Sequence, residues 1–235
     1  LKKTLLRNLL LLSAVLLLTV SCKAPQMGAQ SSMKAGVDFK SVAVVSFAIN
    51  NYGSFGTAGA INPALIDPTL MTLVKKTESI LAEKLVVKPA ATFVKSKAYR
   101  SLSIGDVKSG LYAPKFSGTV MPSFSSDRKA IVKGVLPAET AKELCRTLGV
   151  DAVVLVYSEW MLDSGKFIPT IKALTKNCFA MYSKDGQKVF YDRKDMRGSR
   201  VIGGAFAGVH INEETIDQWV DAFSNSAEIV LRRHM

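Results

Sequence analysis

Leu148-Gly149-Val150-Asp151-Ala152-Val153-Val154-Leu155-Val156-Tyr157-Ser158-Glu159-Trp160, residues 148–160, decides the fold. Upstream, Ala141, Leu144, Cys145 and Leu148 recur at helical spacing. That spacing predicts a helix over 137–148 with one apolar side. Gly149 stops it, because glycine accepts the left-handed turn that closes a helix. Asp151 to Trp160 then runs apolar and β-branched with little alternation. Such a run predicts a strand buried on both faces, the kind parallel sheets use.

Working outward, Ser41-Val42-Ala43-Val44-Val45-Ser46-Phe47 has the same character and predicts a second buried strand. Residues 50–66 hold three glycines and a proline and read as a long loop. Asp67-Pro68 has the form of a helix start, with aspartate as cap and proline in the first turn. Leu70, Leu73, Val74, Thr77, Leu81 and Leu85 follow at helical spacing, and Pro89 closes the segment. Residues 91–102 (ATFVKSKAYRSL) read as a strand, and 103–136 as short β-like pieces between glycines and prolines. Downstream, 167–183 and 187–195 read as paired strands joined at Lys184-Asp185-Gly186, because Asp-Gly favours a hairpin turn. Residues 198–209 (GSRVIGGAFAGV) read as a glycine-rich link. Asn212 is placed to cap a last helix, with Glu213 and Glu214 in its first turn and Arg232 and Arg233 in its last. Its stripe of Ile216, Trp219, Val220, Phe223, Ala227, Val230 and Leu231 is expected to pack on the sheet. The fold class is therefore α/β (α+β): a mixed sheet with flanking amphipathic helices, in the order β-α-β-α-β-β-β-α.

The amino-terminal part has another logic. Lys2, Lys3 and Arg7 precede a nearly unbroken apolar run from Leu9 to Val20, and small Ser21 stands before Cys22. Charge, short apolar core and small residue are the three parts of a secretory signal. The core is shorter than the ~20 apolar residues that a spanning helix requires. Leu18-Thr19-Val20-Ser21-Cys22 resembles the lipobox of bacterial lipoproteins. That resemblance implies cleavage between Ser21 and Cys22 and acyl chains on Cys22. Thr19 departs from it, since the family prefers leucine three places before the cysteine. An ordinary signal peptide with an incidental cysteine, or an uncleaved anchor, are the alternatives. The domain reading is signal 1–21, polar tether 22–39, and one α/β domain over 40–235. Lys23 after the cysteine, where the family's inner-membrane retention signal has aspartate, favours the outer membrane over the inner.

Removing residues 1–21 takes away three basic residues and no acidic one, leaving a net charge of +9 from +12. A basic exported surface suits anionic lipid or acidic wall polymer, and nucleic acid is not expected as a partner. The expected partners are the membrane, through acyl chains, and an envelope protein or cell-wall component; an oligomer is allowed. An oxidising compartment also permits a Cys145–Cys178 disulfide.

Val42–Phe47 with its following loop and helix, and the run from Ala141 to Val154, are similar to a group of envelope proteins. The group includes the curli-secretion channel lipoprotein, penicillin-binding-protein activator lipoproteins and the amino-terminal domain of TolB. The resemblance spans about residues 40–160. The group has glycine soon after the second strand begins, where this chain has Leu155-Val156-Tyr157-Ser158, so no residue role is carried over. An oligomeric outer-membrane export channel becomes an alternative function. Its apolar strand face would be Ile171, Ala173, Phe179 and Met181.

No catalytic pattern stands out. His210 and His234 have no metal spacing and read as surface or capping residues. Gly203 to Gly208 lacks the lysine of a phosphate loop. Asp163, Asp185, Asp192 and Asp195 lie near the hairpin and leave a wall-acting hydrolase as a further alternative. The expectation is a non-catalytic module without metal or cofactor.

Overall fold

The computed structural model describes residues 39–51, 63–106, 110–125, 127–165, 170–204, 209 and 211–235. The elements run β1 (Ser41–Asn51), α1 (Pro63–Leu81), β2 (Val86–Val87), a 3-10 turn (Ala90–Thr92), α2 (Lys97–Arg100), β3 (Leu111–Tyr112), β4 (Lys115–Phe116) and β5 (Thr119–Val120). They continue with α3 (Arg128–Val132), α4 (Ala138–Leu148), β6 (Ala152–Ser164), β7 (Thr170–Ser183), β8 (Lys188–Gly204) and α5 (Ile216–Arg233). The main sheet has the order β2-β1-β6-β7-β8, with β3 added antiparallel to the far end of β1. β1 lies parallel to both β2 and β6, whereas β6, β7 and β8 form an antiparallel meander. The expected mixed sheet with helices is what the chain forms.

The two buried runs are the parallel pair at its centre. Val42 to Asn50 and Ala152 to Ser158 are buried without interruption. One sheet face lies under α5 and α1. There the Phe223 ring lies against Phe47 and Phe179, with centroids at 5.5 and 5.9 Å, and Trp219 stacks on Trp160 at 6.0 Å. Burying one such ring contributes about 2–3 kcal/mol. The predicted stripe of α5 is buried except for half-buried Val220. Beneath α5 runs a fully buried polar seam. Ser158 Oγ donates to Asn177 Oδ1, Asn177 Nδ2 donates to Thr175 Oγ1 at 2.8 Å, and Ser226 Oγ donates to the Lys194 carbonyl at 3.1 Å. Satisfied in this way, the seam avoids the penalty of buried unpaired groups.

α4 and the segments before it cover part of the opposite face. Gly149 ends α4 at φ +66°, as expected. The Tyr182 hydroxyl accepts from the Leu136 N–H and donates to the Gly134 carbonyl, fastening the approach to α4 onto β7.

Five expectations fail, each for a local reason. α1 starts at Pro63, so Asp67-Pro68 lies within the helix; Asp67 pairs with Lys115 at 2.8 Å instead of capping. The helix stops at Leu81, before Pro89. Residues 91–102 are helical rather than extended. Ser96 caps α2 by accepting from Tyr99 N–H, and the Tyr99 hydroxyl donates to the Val45 carbonyl. Val45 is the extra residue where the β1–β6 register slips, so Tyr99 satisfies a carbonyl that the bulge frees. The glycine-rich link is strand as far as Gly204, since β8 continues past Gly198, where Gln218 packs so closely that a Cβ would lie 3.1 Å from it. Finally, α5 begins at Ile216. Asn212 instead builds the preceding turn, its Oδ1 accepting from Glu214 N–H and Thr215 Oγ1, so Glu213 and Glu214 stand ahead of the helix.

Candidate functional site

Among the described residues, the helical cover of the outer sheet face ends partway up the strands. Register places Ala48, Tyr157, Cys178 and Arg193 side by side across β1, β6, β7 and β8. Two residues further along, Asn50, Glu159, Lys176 and Asp195 form a second row, polar throughout. Together they make a shelf at the carboxyl end of the parallel pair. Crevices outside that end are where open α/β sheets bind ligands.

The first row is anchored by packing. Ala48, Tyr157 and Cys178 form a small cluster with Leu111, Ile131, Val132 and Tyr191. Asp127 caps α3 by accepting from Lys129 N–H at 3.1 Å, which holds Ile131 and Val132 over the Tyr157 ring and brings Arg128 to the rim. Burial pushes the Cys178 thiol up, and burial together with its contact to Cys178 does the same for Tyr191.

Unmet hydrogen bonds set the shelf apart. Asn50 is 6% and Tyr157 2% exposed, yet among the described residues Asn50 Nδ2 and the Tyr157 hydroxyl make no well-formed hydrogen bond. A buried unpaired polar atom costs about 1–3 kcal/mol. Burial, then the Glu159 charge, push the Tyr157 phenol up; Arg128 and Asn50 approach the hydroxyl and oppose that shift. Arg128 reaches Glu159 at 3.5 Å and Arg193 holds Asp195 at 2.9 Å. Trp160 Nε1, on the opposite face, is the other unpartnered buried atom among the described residues.

The residues read from sequence are scattered. Cys22, its cleavage partner Ser21 and His210 lie outside the described residues. Cys145 and Cys178 are buried free thiols, and the disulfide that the sequence permits does not join them: Cys145 faces the core from α4, and Cys178 packs in the small cluster with Tyr157. Burial pushes the Cys145 thiol up to about 12. His234 is not a surface residue. It is 7% exposed, caps α5, stacks on Phe190 at 4.3 Å and reaches Asp192 at 3.1 Å. Three of the four aspartates are ion-paired, Asp163 with Arg197, Asp192 with Arg233 and Asp195 with Arg193, while Asp185 is exposed in the β7–β8 turn. Asp163 shares the outer face with Glu159, whereas Asp192 faces the α5 side with Phe179. Two carboxylates on opposite faces of one sheet cannot flank a single bond.

Composition and spacing did not single out Asn50, Tyr157, Glu159, Lys176 and Arg128. The available signal was the polar break, Tyr157-Ser158-Glu159 and Ser46 with Asn50, inside otherwise apolar strands. Among the described residues, no cluster of three metal-ligating side chains occurs, and no helix is long and apolar enough to cross a membrane. A shallow groove along α5, lined by Met196, Asn225, Glu228, Ile229, Arg232 and Arg233, has all its charges in ion pairs.

No protein-family model and no curated protein matches the chain. Solved structures do resemble it. Lipoprotein GNA1162 from Neisseria meningitidis is 14% identical, with 79% of this chain and 96% of that one covered at a TM-score of 0.38. The PelC dodecamer from Paraburkholderia phytofirmans is 14% identical, with 86% and 94% covered at 0.38. The hypothetical protein CT253 from Chlamydia trachomatis is 9% identical, with 83% and 95% covered at 0.41. Superposition at this level transfers no residue role to the shelf.

Proposed function

We propose that this chain is a lipid-anchored protein of the bacterial cell envelope, on the outer rather than the inner membrane, acting as a binding or assembly module and not as a catalyst. One observation carries the reading: a basic start, a short apolar core and a small residue converge on Cys22. Each buried methylene contributes about 0.8 kcal/mol, and a single chain holds only marginally, so two or more chains on one residue make the durable anchor. The shelf is the feature of the folded body that suits binding.

The channel alternative meets an obstacle. Ala173 and Phe179, which would have to face lipid, pack beneath α5 with Thr175 and Asn177. For the hydrolase alternative, Asp163 and Asp192 lie on opposite faces of the sheet and do not form its carboxylate pair.

The test is Cys22→Ser, expressed with its signal in a bacterial host. The parent should partition with membranes, and its amino-terminal peptide should be heavier by a diacylglyceryl group. The serine variant should be released as soluble protein. Equal partitioning of both, with no added mass on the parent, overturns the anchor.

A further inference from the structure

We propose that the shelf of Asn50, Tyr157 and Lys176 is a binding subsite for a single carboxylate group on a ligand. Three observations converge. Asn50 Nδ2 lies beside the Tyr157 hydroxyl, both are buried, and neither makes a well-formed hydrogen bond among the described residues. Asn50 and Tyr157 occupy adjacent rows on neighbouring strands, and Lys176 lies in the Asn50 row beyond Glu159. The charge balance is also uneven. The two rows with Arg128 carry three cations, Arg128, Lys176 and Arg193, against the carboxylates of Glu159 and Asp195. Both carboxylates are held by arginines, at 3.5 and 2.9 Å. Lys176 stands between them in the register and makes no ion pair among the described residues. What remains is one positive charge and two donors without a well-formed hydrogen bond, on a floor of low dielectric.

A monoanion with two acceptor oxygens fills that deficit. A carboxylate can take the Asn50 amide and the Tyr157 hydroxyl while lying near the ammonium, and charge-assisted bonds of this kind are the stronger ones. A phosphate monoester dianion would overfill it and meet Glu159. A uronic acid or a peptide carboxy terminus would supply the same group. The proposal does not depend on the anchor, and its test is read on protein lacking the lipid.

The folded chain is made without residues 1–21 and with Cys22→Ser, labelled with nitrogen-15. It is titrated at constant ionic strength with sodium acetate, inorganic phosphate or sodium chloride. Acetate should shift the Asn50 side-chain amide resonances saturably, and chloride should not. Lys176→Gln, a half-exposed position whose change leaves the core intact, should weaken the acetate response at least tenfold, and Tyr157→Phe should do likewise. Three results would overturn the subsite. One is an acetate response no different from that of chloride, which leaves a bound water as the occupant. Another is saturation by phosphate alone. The third is an undiminished acetate response in Lys176→Gln.

Discussion

Asp151 shows how much one exposed-looking carboxylate can organise. Its Oδ2 accepts from the Lys40 N–H at 3.0 Å and from the Ser41 N–H and hydroxyl at 3.1 and 3.0 Å, while Oδ1 meets Lys184 at 3.2 Å. One side chain thus joins the start of β1, the start of β6 and the β7–β8 turn. These hydrogen bonds, the Lys40 N–H first, hold its carboxyl below the ordinary carboxylate value. A lowered folded pKa means that the ionised group stabilises the fold above the unfolded value of about 3.9. That contribution is lost as pH falls through the folded value. Asp151→Ala should cost about 1–2 kcal/mol near neutral pH, with solvent screening keeping it at that modest level. Urea unfolding at pH 6 and pH 3 checks this: the gap between parent and variant should narrow at pH 3. A constant gap would mean that the loss is one of packing. None of this was legible in the sequence, where Asp151 is simply the first residue of an expected strand. Its partners Lys40 and Ser41 lie 111 and 110 residues away and Lys184 33, and local pattern carries no information over such separations.

Among the elements, legibility followed local pattern. α4 and the stripe of α5 were readable because apolar residues recur at helical spacing, β1 and β6 because each is a continuous apolar, β-branched run, and β7 because an Asp-Gly turn marks its hairpin. The 91–102 segment was misread because Thr92, Phe93, Val94 and Tyr99 favour strands in isolation. Here Phe93, Val94 and Tyr99 are instead buried by a 3-10 turn and a capped helical turn. Strand preference depends on the surface it must fit, and no strand site was open to this segment. The approach to α4 offers a sharper test. Gly134 has φ +52°, and a Cβ there would lie 2.5 Å from the Ala180 Cβ on β7. Gly134→Ala should therefore destabilise the chain by about 2–4 kcal/mol through strain and overpacking together. Thermal unfolding should show it as a drop in Tm. Adding Ala180→Gly should recover part of the loss, since it restores the space but not the backbone angle. No recovery would assign the whole cost to the backbone.

At the scale of the molecule, the sheet has two unlike ends. One holds Ser41, Asp151 and the Lys184–Gly186 turn, and the other holds Asp163, Arg197 and the open side of the shelf. About 40 Å of strand separates Asp151 from Asp163 at ~3.3 Å per residue. The candidate site was invisible in the sequence for this reason: its residues come from four strands and one short helix, and they meet only when the register is set. With the proposed anchor at Cys22, the same polarity would orient the body on a membrane. Cys22 connects to β1 at Ser41, so the chain leaves the proposed anchor and enters the sheet at the Asp185 end. Lys40 and Lys84 are exposed there and favour an anionic surface, Lys184 being paired with Asp151, and the shelf would then point outward. In lipidated protein on vesicles, a spin label at Asp185 should relax faster than one at Asp163 when a paramagnetic chelate is carried on the lipid headgroups. The difference should shrink in high salt, where the lysine attraction is screened. Equal relaxation at both sites would mean that the body lies with its strands along the bilayer. The shelf would then face sideways along the membrane plane, toward neighbouring proteins rather than outward toward material away from the membrane.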